Sequence, residues 1–416
     1  MATRDLGAAL ALADFRWLWI GSLASSFAMN MQIVARGWLV YALTSSALDL
    51  AWVTLSFMIP MVAFALVGGV MADRVPKRGI IMAAQGLNSV ATVLLGVIIL
   101  VGQVDFWDFI WFGFFNGTVL ALSMPARQAM VPELVPERLI FTAMGLTTTS
   151  WNLSRILGPA MAGFLIAWIA GGDTTSHLGV GIVYFMIATL YLASSLAMWR
   201  VTQRPQGARA DDQHPLRDIA DGLRYLWANP PVLGLILLSI VPFLFGMPIN
   251  TLLPAYNEDI LSGGADDLGL LMSAMGVGAI VGSLMMAAMG ELRGKGRWLI
   301  GTSIAWAGAT ALVGTADSQL WAVAAVTLVG WLGSWNLSLN RGLLQTSITP
   351  GMRGRILSID MMSHGLMPLG VIPISLIAEQ VNVAVALQVA LQVAGGVFAL
   401  AVLALLCASR AVRSLA

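Results

Sequence analysis

Asp360 and His364 stand four residues apart in an apolar run, and Glu379 lies toward the other end of that run. On a helix, residues four apart share a face. An imidazole titrates near neutral pH, and an adjoining carboxylate raises its pKa by favouring the charged form. Such a pair can take up and release protons, although a purely structural pair would look the same. Arg36 and Arg155 are the basic residues inside apolar runs. A charge in hydrocarbon costs about 2.5–3.5 kcal/mol even on insertion scales, so each is expected to face a cavity or a partner. Neither has an acid at comparable depth in the first half of the chain. A cationic wall is therefore expected, favouring an anionic or strongly hydrogen-bond-accepting molecule. Asn30, Gln32, Asn116, Asn152, Asn250, Asn336 and Asn340 also lie in apolar runs. They can bind a substrate by hydrogen bonds or pair helices with one another.

The elements that position these groups follow from composition. Of 416 residues, 58% are hydrophobic and 10% charged, against about 45–50% and about 25% in soluble domains. Lipid must be the solvent for most of the chain. A bilayer core about 30 Å thick needs about 20 helical residues. Cutting the apolar runs at polar and Gly/Pro punctuation predicts about twelve spans, near 15–42, 48–71, 79–101, 105–127, 138–169, 179–199, 232–256, 267–289, 297–315, 319–341, 355–379 and 382–407. Helices are required because unsatisfied backbone groups in lipid cost several kcal/mol each. The first run, near Phe15 to Tyr41, lacks a short apolar region followed by a cleavage site and reads as a retained anchor.

The distribution of Lys and Arg tests the threading. Of 22 such residues, all but Arg36 and Arg155 fall in loops of one side or at the termini, while the opposite loops hold only acids such as Asp49, Asp105, Asp173, Asp266 and Asp317. Positive residues favour the cytoplasmic side, so a multi-pass protein of the cytoplasmic membrane with both termini inside is expected. The segment 201–230 separates residues 1–200 from 231–416. Within it, Leu216, Ile219, Leu223 and Leu226 fall at helical spacing, predicting an amphipathic helix on the membrane surface or a packed linker helix. The halves match weakly at an offset of 214, pairing Arg127 with Arg341, Pro136 with Pro350 and Pro159 with Pro373; at 218, Asp73 meets Glu291 and Lys77 meets Lys295. Duplicated halves enclosing a midplane site suit alternating access.

Residues Gly69-Val-Met-Ala-Asp73-Arg74-Val-Pro76-Lys77-Arg78 resemble the loop 2–3 signature of the major facilitator superfamily. Asp14-Phe-Arg-Trp-Leu-Trp, Pro125-Ala-Arg-Gln-Ala-Met-Val-Pro-Glu-Leu-Val-Pro and Arg353-Gly-Arg-Ile-Leu-Ser resemble its enterobactin-exporter-like branch, covering nearly the whole chain. The resemblance implies an all-α fold of twelve transmembrane helices in two six-helix bundles. It also implies that Asp73 latches the cytoplasmic face against span 11 near Arg353 and Arg355. Arg74, Arg78, Arg127, Arg341 and Glu291 are further expected gating residues. Lys77 and Arg78 are equally explained as topology determinants. Ser154-Arg155-Ile-Leu-Gly158-Pro159 is similar to the bend motif of antiporters, departing from it at Ser154. In span 8, Gly278 and Gly282 form a close-packing signal.

The expected function is proton-coupled efflux of a small amphipathic molecule by a monomer. An importer or uncoupled facilitator on the same scaffold is the alternative, and an intramembrane lipid-modifying enzyme a remote one. No cofactor, metal or nucleic acid is expected: there is one cysteine, Cys407, the three histidines lie far apart, and the chain has no phosphate loop.

Overall fold

The computed structural model describes residues 2–170, 177–202, 215–288, 294–349, 352, 356, 359–360, 367–380 and 383–408. Among these no strand occurs. The first half carries α1 (Ala2–Ala11), α2 (Ala13–Thr44), α3 (Ala47–Ala63), α4 (Ala65–Arg74), α5 (Lys77–Val101), α6 (Phe106–Glu133), α7 (Ile140–Ile169) and α8 (His177–Trp199). After α9 (Pro215–Ala228) come α10 (Pro230–Phe245), α11 (Ile249–Asp259), α12 (Ala265–Ala288), α13 (Lys295–Val313), α14 (Gln319–Ser347), α15 (Met367–Gln380) and α16 (Val383–Ala408). Nine described helical segments are long and apolar enough to cross a membrane, with α10 and α11 together forming one of them.

The chain divides into two compact units. One comprises 1–44, 53–212 and 264–269; the other comprises 45–52, 213–263 and 270–416. In the first, α2 packs on α7 and α8, and α5 lies between α6 and α8. At one end of this unit Phe15, Leu18, Ile81, Met130, Leu139 and Val201 form a closed apolar cluster. Elsewhere the outward faces remain apolar. On α6, Trp107, Trp111 and Phe114 are exposed, while Phe109, Phe112 and Asn116 point inward. A helix apolar on its outer face as well as its inner one is built for a hydrocarbon solvent. In the second unit α13 packs between α14 and α16, and α10 contacts α14, α15 and α16.

Two of the expected spans are interrupted. Span 2 becomes α3 and α4, joined at Phe64 with φ −97° and ψ 0°. The Phe64 N–H still donates to Pro60 O, and Gly68 N–H to Phe64 O, so the helix is distorted there and not unwound. Span 7 breaks at Gly246-Met247-Pro248 between α10 and α11. Proline has no N–H to return to the carbonyl four residues earlier, so Pro248 leaves Leu244 O without its helical donor. Gly370 of α15 lies directly against that carbonyl, where a Cβ would collide with it. The same device recurs in the first unit: Pro125 frees Ala121 O, and Gly68 of α4 abuts it. Glycine Cα–H groups are suited to such close backbone contact.

The span 8 glycines behave as their spacing suggests. Gly278 meets the carbonyl of Thr327 and Gly282 that of Trp331, while Gly330 returns the contact against Met275 O. Ser283 and Ser334 share a hydrogen bond of 2.6 Å across the same seam.

Candidate functional site

The polar residues of the first unit are gathered onto the facing sides of α2, α5, α6 and α8. Tyr191 is the hub. Its hydroxyl donates to Gln32 Oε1 at 3.2 Å, and it also interacts with Asn116, Arg36 and Arg127. Asn116 Nδ2 reaches Asn88 Oδ1 at 3.4 Å. The Arg127 guanidinium donates to Ser25 Oγ. Arg36 lies over the Phe57 ring at 5.8 Å and interacts with Tyr184. Gln32, Asn88 and Asn116 are all buried, and Tyr184 is 0% exposed.

Asn30 is held differently. Its amide donates to Ser26 O at 2.9 Å and to Ser154 Oγ at 3.2 Å, joining α2 to α7. A Cβ on Gly158 would lie 2.8 Å from Asn30 Cβ, so the glycine of the Gly158-Pro159 pair admits this contact. Ser154, which departs from the antiporter motif, is the residue that completes it. Asn152 and Arg155 sit half-buried on α7 with no hydrogen bond among the described residues. Beside Arg36, Arg127 is a second guanidinium that interacts with Tyr191.

In the second unit Asn336 is fully buried, its amide meeting Leu299 O, Thr302 Oγ1 and Ser303 Oγ at 3.1, 3.0 and 2.8 Å. Asn340 Nδ2 donates to Leu235 O at 3.1 Å. Asn250 bonds locally to Met247 O at 3.0 Å. Asp360 is buried and accepts from Ser239 Oγ at 2.7 Å. His364, Arg353, Arg355 and Glu291 lie outside the described residues, as do the side chains of Asp73 and Glu379.

The loop 2–3 signature is partly a packing device. Lys77, only 3% exposed, pairs with Glu133 at 2.9 Å, in the Pro-Glu-Leu-Val-Pro stretch that ends α6. Arg78 donates to Met198 O at 3.1 Å and Trp199 O at 2.8 Å. A cation that bonds the last carbonyls of a helix satisfies orphan acceptors and favours its negative dipole end. Arg74 and Arg341 are exposed.

Tyr184, Tyr191, Ser25, Asn88 and Glu133 are absent from the sequence-derived set. A signal for the tyrosines does exist. The chain has only five tyrosines, and these two stand seven residues apart, hence on one face of a single span.

The helices, their apolar outer faces and their buried polar interior define an integral membrane transporter of the major facilitator type. The chain belongs to the transmembrane secretion effector family, which it matches over residues 7–415. It is 24% identical over 348 residues to a staphyloferrin A transporter of Staphylococcus aureus, covering 83% of this chain and 85% of that one. To an enterobactin exporter of Shigella boydii it is 26% identical over 291 residues, covering 70% and 67%. Its fold resembles the solved nucleoside transporter NupG, with TM-score 0.76 at 14% identity, covering 94% of this chain and 98% of that one.

Proposed function

We propose that the protein is a secondary active exporter that moves a small amphipathic molecule out across the cytoplasmic membrane by alternating access, coupled to protons. The halves 1–200 and 231–416 act as the two rocking bundles, and 201–230 joins them on the cytoplasmic side with the termini. The observation that carries this reading is the buried polar cluster around Tyr191, on helices whose outer faces are apolar. Polar groups inside such helices are costly unless they line a pathway or find partners. The relatives named for staphyloferrin A transport and enterobactin export support outward movement of a metabolite.

Asp360, with His364 on the same face and Glu379 beyond, is the proton-coupling group in this reading. Asp73 latches one state by a charge-assisted bond toward Arg353 or Arg355, with Arg74, Glu291 and Arg341 as associated gating charges. Purified protein in liposomes tests the proposal through substrate flux with and without an imposed pH gradient. Outward accumulation that collapses with the gradient is expected. Flux indifferent to the gradient would mean an uncoupled facilitator, and inward accumulation an importer.

A further inference from the structure

Hydrogen-bond donors outnumber acceptors around Arg36. Its guanidinium has no ion pair or hydrogen bond among the described residues, and its close neighbour there is the Phe57 ring. The Tyr184 hydroxyl and Gln32 Nε2 are buried without a hydrogen-bond partner. A further donor of the group, the Tyr191 hydroxyl, is already committed to Gln32 Oε1. A buried donor left unmade costs about 1–3 kcal/mol, and more for a charged group. The three unmade donors, on α2 and α8, require an acceptor that the described residues do not supply.

We propose that Arg36, Tyr184 and Gln32 bind the anionic group of the transported molecule, a carboxylate or an acidic phenol. This rests on the exporter reading and adds the substrate's charge class. A carboxylate offers two oxygens and about four lone-pair sites, enough for the guanidinium fork, a phenolic O–H and an amide N–H. The planar fork of arginine matches that geometry bidentately. Arg127, bonded to Ser25 and interacting with Tyr191, adds positive potential without needing contact. A cationic ligand would meet two guanidiniums and find no carboxylate paired with either among the described residues.

The test uses the full chain in lipid nanodiscs and three probes: salicylate, its neutral counterpart salicylamide, and the tetraphenylphosphonium cation. Salicylate is expected to bind at least about tenfold more tightly than the other two. Arg36→Gln should weaken salicylate roughly tenfold or more while leaving salicylamide unchanged, and Tyr184→Phe should weaken it several-fold. If Arg36→Gln does not fold, Tyr184→Phe decides, because it removes one oxygen and keeps the ring. Tightest binding of the phosphonium, no salicylate binding, or salicylate binding indifferent to the folded variants overturns the proposal. Failure of the exporter reading would show separately, as absent outward flux by protein that still binds salicylate.

Discussion

Ser239 donates to the buried carboxylate of Asp360 at 2.7 Å. Under the 214-residue offset that relates the halves, Ser239 is the counterpart of Ser25, which accepts from Arg127. The same serine position thus holds an anion in one unit and a cation in the other.

The proton-coupling proposal makes Asp360 the decisive position. Asp360→Asn keeps size and most hydrogen bonding but cannot ionise. It should abolish flux driven by a pH gradient in liposomes while substrate binding stays measurable. Ser239→Ala, which removes the hydrogen bond to Asp360, should slow gradient-driven flux without abolishing it. Gradient-driven flux at wild-type rate in Asp360→Asn would remove Asp360 from the coupling path.

Lys77 is buried and Glu133 about one-third exposed, at 3% and 32%. Removing one partner of a buried pair costs about 3–5 kcal/mol, and the exposure of Glu133 lowers this to roughly 1–2 kcal/mol. Lys77→Met should therefore lower the midpoint of thermal unfolding in detergent. The double reversal Lys77→Glu with Glu133→Lys should recover part of the loss. Equal stability of Lys77→Met and wild type would make the pair a topology signal alone.

The glycine-to-carbonyl contacts predict a sharp contrast among alanine substitutions. Gly370→Ala and Gly68→Ala place a methyl against a backbone oxygen that cannot retreat, whereas Gly301 has open space around its added Cβ. The first two should cost about 1–3 kcal/mol and reduce the yield of folded protein. Gly301→Ala should match the parent or exceed it slightly. Comparable thermal midpoints for all three would show that the close contacts carry no weight.

Asp73 is the penultimate residue of α4, nine residues (about two and a half turns) beyond the distortion at Phe64. If it latches one state only, Asp73→Asn should leave expression and insertion unchanged and slow transport at least about tenfold. Full transport by the inserted variant would assign it to topology instead.

What was legible in the sequence follows from what hydropathy encodes. Lipid exposure demands continuous apolar helices, so each expected span is helical over most of its described residues. Span 8's glycines announced their packing for the same reason: only a missing side chain allows backbones so close. The breaks at Phe64 and Met247 were not visible as breaks, because prolines in lipid are tolerated wherever a neighbour satisfies the freed carbonyl. Of the polar positions, Asn30 and Asn336 became helix-pairing amides, and Gln32 and Asn116 joined the Tyr191 cluster. Side-chain type could not separate these outcomes. They depend on whether a neighbouring helix presents an acceptor, as Ser154 does to Asn30, or a donor, as Tyr191 does to Gln32.

Asp14, at the start of α2, binds the backbone N–H and the hydroxyl of Thr202, just beyond α8, at 2.8 and 3.0 Å, across 188 residues of sequence. The clasp cannot form until the ribosome has passed Thr202. At about 5–20 residues per second, roughly 10 to 40 s separate the emergence of its two ends. For that interval Thr202 does not yet exist for Asp14 to bind, while helices α2 to α8 are being made. Once joined, they tie the start of α2 to the residue just beyond α8 before most of the second half exists. The clasp therefore has a place in time as well as in space: it can form only once the first eight helices have been synthesised.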